Sequence, residues 1–121
     1  MGARILLVEK DRTLRRQVAS ILEGAGFEVT TAVDSRQGLR KYSESRTDLV
    51  IMAEEMAGAE ELCSRLRQVA YLPIIVLGTE GGGREAEMLS LGVDAYVAQP
   101  TDVRGLVARV RSLLRRGERE A

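Results

Sequence analysis

Short apolar runs alternate five times with longer amphipathic segments along this chain. The apolar runs predict strands at residues 4–8, 28–31, 48–52, 73–77 and 95–97. Three of these runs, RILLV, DLVIM and PIIVL, are almost continuously apolar. Strands of that kind are covered on both faces, as in a parallel sheet with a helix layer on each side.

The segments between the runs have helical periodicity. An apolar stripe at i, i+4, i+7 and i+8 extends from Leu14 to Leu22, and a glycine at 24 or 26 ends it. Residues 62–69 repeat the pattern. The last segment keeps it over three turns between residues 103 and 114, and Asp102 precedes it as the predicted N-cap.

Five βα units without an intervening linker predict one domain over residues 1–121. Right-handed crossovers favour a doubly wound, flavodoxin-like (βα)5 sheet with strand order 2-1-3-4-5. Function in such folds gathers where the strands end at their carboxyl termini. The segments of interest are therefore 9–11, 53–58, 78–83 and 98–101.

Composition excludes several classes of function. The chain has no histidine and a single cysteine, Cys63, which removes disulfide frameworks, most transition-metal sites and histidine-based catalysis. No nucleophile has a neighbouring base, so we predict no enzymatic activity and no cofactor. We expect Cys63 to be an inert, half-buried helix residue.

Charge and hydropathy limit the partners and the cellular location that we expect for the chain. Eighteen basic and eighteen acidic residues balance, so no global field draws nucleic acid or acidic lipid, and we expect no direct nucleic acid binding. The chain has no apolar run of about 20 residues, the length needed to cross a bilayer, and no signal-peptide pattern at its start. These features predict a cytoplasmic protein without membrane contact.

Five segments in order carry a family resemblance: ILLVEKD, DLVIMAEEMAG, PIIVLGTE, GVDAYVAQP and GLVARVRSLLRR. They resemble the receiver domain of response regulators, and the resemblance covers residues 4–116. The last helix is similar to the one that leads into the linker of winged-helix, OmpR/PhoB-type transcription regulators. The resemblance therefore implies a signalling domain, to which the native gene could add a C-terminal DNA-binding domain.

The resemblance also assigns positions to a phosphorylation site. Receivers carry two acids after strand one, an aspartate phosphoacceptor after strand three, a threonine or serine after strand four and a lysine after strand five. Two acids and the acceptor hold Mg²⁺, while the hydroxyl and the ammonium bind phosphoryl oxygens. The matching residues here are Glu9, Lys10, Ala53, Gly78 and Gln99. Only Glu9 is retained, which implies a receiver that accepts no phosphate, binds no Mg²⁺ and acts through protein contacts.

Other charged residues near this site leave alternatives. Glu54 or Glu55 could take the phosphate, or hold a hard cation with Glu9 and Asp11. Because the side chain after the acceptor position normally points away, we expect both to be solvated loop acids, and Asp11 to cap the first helix. Lys10 either places its ammonium where Mg²⁺ would bind, paired with Glu9, or extends into solvent.

The resemblance further implies a partner surface on helix four, strand five and helix five. Tyr96 matches an aromatic residue that changes rotamer when receivers switch, and it is either a contact residue or a static packing residue here. Asp94 and Arg116 keep one ion pair of the family dimer. A second pair is lost, because Glu85 and Gly105 stand at its basic and acidic positions. Arg109 lacks its expected partner, because Ala95 stands where the family has an acid before the aromatic residue. A homodimer and a different protein partner both remain open.

A second class of function is a small-molecule or nucleotide-binding module that uses the same crevice. The loop GTEGGGR at residues 78–84 could form an anion nest from successive N–H groups, but a flexible βα loop is the simpler interpretation. The segment EKDRTLR after strand one offers no glycine or hydroxyl cluster for a phosphate. The receiver-like segments favour the first class.

Overall fold

A computed structural model of the chain describes residues 2–69, 71–79, 81, 83–98 and 103–120. This part of the chain alternates five strands with five helices. Their order is β1 (Arg4–Val8), α1 (Arg12–Gly24), β2 (Glu28–Ala32), α2 (Ser35–Glu44), β3 (Leu49–Ala53), α3 (Ala59–Val69), β4 (Ile74–Gly78), α4 (Glu85–Ser90), β5 (Ala95–Ala98) and α5 (Val103–Glu120).

The five strands form one parallel sheet in the order β2-β1-β3-β4-β5, which confirms the predicted topology. Two predicted strands were placed one residue too early. β3 and β4 extend through Ala53 and Gly78, because the ladder continues with Ala53 opposite Leu77 and Gly78 opposite Ala98. Ala53 is therefore the last residue of its strand and not the first residue after it.

Alternate side chains of the central strands supply two hydrophobic cores. One core joins Leu6, Val50 and Val76 to helices α2, α3 and α4. The other joins Ile5, Ile51 and their neighbours to α1 and α5. Because these strands are continuously apolar, each contributes side chains to the cores on both faces of the sheet, as a parallel sheet covered by helices requires.

Capping groups fix the helix starts near the carboxyl edge of the sheet. The Asp11 carboxylate accepts a hydrogen bond of 2.9 Å from the Leu14 N–H and opens α1, as predicted. Asp34 does the same for α2 through the Gln37 N–H. The predicted cap at Asp102 lies outside the described residues. These caps set where the loops that surround the carboxyl edge begin to turn.

Candidate functional site

The carboxyl edge of the sheet brings together the side chains that the sequence singled out. Glu9 follows β1, while Ala53 and Gly78 close β3 and β4. Because neighbouring strands are parallel, these positions share one edge. Gln99, the remaining predicted position, lies outside the described residues.

Glu9 is a buried acid, with 4% of its surface exposed. Its carboxylate accepts from the Asp11 N–H at 3.3 Å, while the Arg15 guanidinium donates to the Glu9 carbonyl oxygen at 2.9 Å. Burial raises the pKa of Glu9, although hydrogen bonds from the Asp11 and Lys10 backbones oppose the rise. Arg15 thus holds the backbone of this loop without pairing with the carboxylate.

Lys10 extends into solvent. None of the ion pairs found in the described part of the chain includes it. This placement favours the solvent-exposed alternative over an ammonium held against Glu9. Over the same residues, no cluster of three or more acidic or cysteine side chains could hold a metal ion.

Ala53 presents a buried methyl group at this edge. It belongs to the same core as Met52 and Met56, so the position is continuous with the apolar interior. The next residue continues the edge, because the Glu54 N–H donates to the Leu77 carbonyl at 2.9 Å. A methyl group has neither a nucleophile nor a metal ligand to offer here.

Glu54 is buried, and the prediction that it is a solvated loop acid was wrong. Only 2% of its surface is exposed, whereas Glu55 is exposed as predicted. One oxygen of Glu54 accepts from the Tyr96 hydroxyl at 2.6 Å, and the other accepts from the Thr79 N–H and hydroxyl, both at 3.1 Å. These three donors replace the water that a loop carboxylate would otherwise bind.

Electrostatics keep the Glu54 carboxylate ionised in this buried position. Burial by itself raises the pKa of Glu54, but hydrogen bonds from Tyr96 and Thr79, with the positive charge of Arg84, lower it below its usual value. Burial, together with the hydrogen bond to Glu54, raises the pKa of the Tyr96 phenol. The pair is therefore a neutral phenol that donates to a carboxylate.

Tyr96 occupies space that exists only because residue 78 is glycine. An ideal Cβ at Gly78 would lie 2.0 Å from both Cζ and the hydroxyl oxygen of Tyr96 and 2.5 Å from Cε1. Real Cβ atoms essentially never approach other atoms this closely. The ring lies inward, with 7% of its surface exposed, which supports the static packing alternative. The inward position of Tyr96 thus depends on the glycine at residue 78.

Arg84 ties the β4–α4 loop to the same group of residues. Its guanidinium donates to the Glu54 carbonyl at 3.4 Å, to Glu87 at 2.7 Å and to Glu60 of α3. Glu54, Gly78, Thr79, Arg84 and Tyr96 are hereafter the Glu54 cluster. The cluster joins the segments that follow β3 and β4 to strand β5.

Comparisons with known proteins agree with this geometry. The model of the response regulator receiver domain matches residues 5–111. The chain belongs to the response regulator receiver domain family. A receiver domain protein from Methanospirillum hungatei has the same fold, with a TM-score of 0.91 at 24% identity over all of both chains. A response regulator from Chloroflexus aurantiacus is 30% identical, with a TM-score of 0.86 over 94% of this chain and 98% of that chain.

Curated relatives are longer than this receiver. It is 37% identical over 120 residues to the transcriptional regulatory protein AfsQ1 of Streptomyces coelicolor, and this match covers 97% of the chain and 53% of AfsQ1. It is 35% identical over 123 residues to the DNA-binding response regulator MtrA of Mycolicibacterium smegmatis, covering 99% of the chain and 54% of MtrA. The chain thus spans about half the length of these relatives. None of the helices in the described part of the chain has the length and apolar character that a membrane span requires.

The predicted partner-surface residues have different environments in this receiver. Asp94 is engaged within the chain, since its carboxylate accepts from Arg67 at 2.6 Å and from the Ile74 N–H at 2.8 Å. Arg109 and Arg116 are exposed on α5. A contact between Asp94 and Arg116 of a second copy would therefore have to share Asp94 with Arg67.

Cys63 is fully buried and not half-buried as predicted, because it lies on the side of α3 that packs into the same core as Leu62. Burial raises the pKa of its thiol, and the thiol lies 3.7 Å from the Leu91 carbonyl oxygen. A protonated thiol without solvent access is unreactive, in agreement with the expected inert role.

Sequence reasoning considered Glu54 but expected it in solvent, and it missed Thr79 and Arg84 as members of the site. One signal for the inward ring was available, because β4 ends at a glycine and the neighbouring strand β5 carries a tyrosine two residues before its own end. In the sheet, Val76 lies opposite Tyr96 and Gly78 lies opposite Ala98. A large ring and a missing side chain on adjacent strands indicate that one fills the space of the other.

Proposed function

We propose that this chain is an atypical receiver that accepts no phosphate and signals through a protein surface that does not depend on phosphorylation. Ala53 supplies no oxygen to attack a phosphodonor, and Lys10 supplies a cation where the family has a second acid. Without a carboxylate nucleophile at residue 53, the acyl phosphate that the family forms cannot form here.

One observation carries the proposal: the Tyr96 ring fills the space of a side chain at residue 78, the position at which the family resemblance expects the hydroxyl that binds the phosphoryl group. The Tyr96 hydroxyl stands in the space above Gly78 and donates to the buried Glu54 carboxylate. Internal hydrogen bonds therefore hold Tyr96 inward, where the family resemblance expects a phosphate-dependent contact.

The output surface in this proposal is the face of α4, β5 and α5. It presents the exposed side chains of Leu89, Arg109 and Arg116 beside the fixed Tyr96. An apolar side chain with arginines at its rim suits a protein contact. We propose a homodimer or another protein as the partner, in the cytoplasm. Because the relatives of about twice the length are named as transcriptional or DNA-binding regulators, we also propose that the native gene continues into a DNA-binding domain.

Incubation with acetyl phosphate and Mg²⁺ is expected to leave the intact mass of the protein unchanged. The reason is that no described carboxylate at the edge is both accessible and placed as the acceptor, since Glu54 is buried and hydrogen-bonded. A receiver that retains the aspartate serves as the positive control in the same buffer. A gain of one phosphoryl group that is lost in Glu54→Gln or Glu55→Gln would contradict the proposal.

A further inference from the structure

The balanced net charge of the chain hides a strong segregation of charge. Helices α1 and α5 together carry nine arginines and three glutamates, whereas the rest of the chain carries nine basic and fifteen acidic residues. The two helices are thus positive by six charges, and the remainder is negative by six. The expectation that no field attracts nucleic acid rested on the sum alone.

The two basic helices lie side by side on one face of the sheet. Leu22 of α1 packs in the same core as Leu106, Val110 and Leu113 of α5, and the Arg111 guanidinium reaches the Ala25 carbonyl oxygen at 3.5 Å. Acidic side chains that could neutralise α5 are absent between residues 103 and 117. The charges of both helices therefore add within one surface, hereafter the α1/α5 face.

The arginines of the α1/α5 face point outward. Arg12 and Arg16 of α1 and Arg111 and Arg115 of α5 are exposed. Ion pairs that the structure describes, over residues 2–69, 71–79, 81, 83–98 and 103–120, include none of these four side chains. By contrast, Arg65 and Arg84 on the other side of the sheet are paired with glutamates. The positive charges of these four α1/α5 side chains are therefore available to external anions, including that of Arg111, whose described hydrogen bond goes to a backbone carbonyl oxygen.

We propose that the α1/α5 face binds the phosphate backbone of duplex nucleic acid, without reading its sequence. Arg104, Arg111 and Arg115 recur at helical spacing along one side of α5, over a rise of about 17 Å, the length of about five phosphates along one strand. Arginine pairs with phosphate in a bidentate geometry. The face is a line of such donors along one helix, with Arg12 and Arg16 on the adjacent helix.

The absence of apolar anchors favours nucleic acid over a protein or a membrane. Large exposed hydrophobic side chains in the described residues are Val33, Tyr71 and Leu89, and none lies on α1 or α5. Protein interfaces rely on buried apolar or aromatic anchors, and a peripheral helix inserts apolar side chains between lipids. Binding to a phosphate backbone needs neither, because the release of counterions drives it.

The test is fluorescence anisotropy of a labelled 20-base-pair duplex at 50, 100 and 200 mM salt. The wild-type chain is expected to bind at 50 mM salt, and its affinity is expected to fall steeply as salt rises. Arg111→Gln with Arg115→Gln removes two contacts and should lower the slope of log K against log salt by about two. The matched control is Arg36→Gln with Arg40→Gln, which removes two exposed charges at the same spacing from α2 and should leave the slope unchanged.

Three results would overturn the proposal. The first is no anisotropy change at 50 mM salt with protein at about 100 μM, which lies within the usual range for non-specific binding. The second is an equal loss in the α2 control. The third is binding to phosphatidylserine vesicles, or association between copies in sedimentation, that needs Arg111 and Arg115 while DNA is not bound. Unchanged thermal unfolding of both variants will show that charge and not folding is the cause.

Discussion

Gly78→Ala is expected to destabilise the domain by about 3 kcal/mol, although it adds one methyl group to a strand. The new Cβ would overlap the Tyr96 ring, which must leave its position. Moving a large side chain out of the interior costs about 1.5–3 kcal/mol. The buried Glu54 carboxylate also loses the hydrogen bond of 2.6 Å from the Tyr96 hydroxyl, at a further cost of about 1–3 kcal/mol. The total is smaller than the sum of the two costs, because a shift of the strand can relieve part of the overlap.

A double-mutant cycle in urea separates this clash from a general effect of alanine in a strand. In the Tyr96→Ala background the Gly78→Ala change should cost less than about 0.5 kcal/mol, because no ring remains to be displaced. Gly24→Ala, where a Cβ meets no atom within 4 Å, is the control and should be neutral or slightly stabilising. Equal costs of Gly78→Ala with and without Tyr96 would show that the ring does not occupy this space.

Glu54→Gln is the second large effect, and we expect a loss of about 2 kcal/mol at pH 7. The amide keeps an acceptor for the Thr79 N–H, but it gives up the charge that strengthens the hydrogen bonds from Tyr96 and Thr79. The matched control is Glu55→Gln at the adjacent exposed position, which should change the free energy of unfolding by less than about 0.5 kcal/mol.

The pH dependence of this loss has a definite sign. The pKa of Glu54 is lowered in the folded protein, so the stability that its ionised form provides is complete above the unfolded pKa of about 4.3. That stability is lost as pH falls through the folded value. The difference between wild type and Glu54→Gln should thus be constant from about pH 6 to 8 and shrink below about pH 4. The raised pKa of Glu9 gives a pH dependence of stability with the opposite sign. Because wild type and Glu54→Gln both contain Glu9, this contribution cancels in the difference between their free energies of unfolding.

A difference that grows toward low pH would mean that Glu54 is protonated in the native state. In that case the carboxyl would donate a hydrogen bond, and Tyr96 or Thr79 would be the acceptor. Chemical unfolding of both proteins in matched buffers between pH 3 and 8 measures this directly.

The sequence predicted the fold well because its strongest signals are collective. Five apolar runs with intervening helical stripes define strand number, direction and order, and β1 was placed to the residue. Strand ends were less certain, since Ala53 and Gly78 are compatible with either a strand or a loop. Only pairing to Leu77 and Ala98 in the neighbouring strands decides their state.

The Glu54 cluster could not be predicted because it depends on long-range fit. A glutamate after a strand is usually solvated, and its burial here needs three donors from segments 25 and 42 residues away. Tyr96 supplies one donor only because Gly78 leaves room for the ring. The segregation of charge was hidden for a related reason: the topology places α1 beside α5, which composition does not record.

The decisive measurement is the state of the Tyr96 ring in solution, followed by NMR with labelled tyrosine rings, with and without Mg²⁺ and beryllofluoride. The chain has three tyrosines, and Tyr96→Phe assigns the signal. An inward ring close to Thr79, with signals that do not change on addition of the phosphoryl mimic, is the result expected for a receiver that is independent of phosphorylation. A ring that moves on addition, together with amide shifts at Glu9 and Ala53, would show that the site still binds a phosphoryl group and would contradict the proposed function.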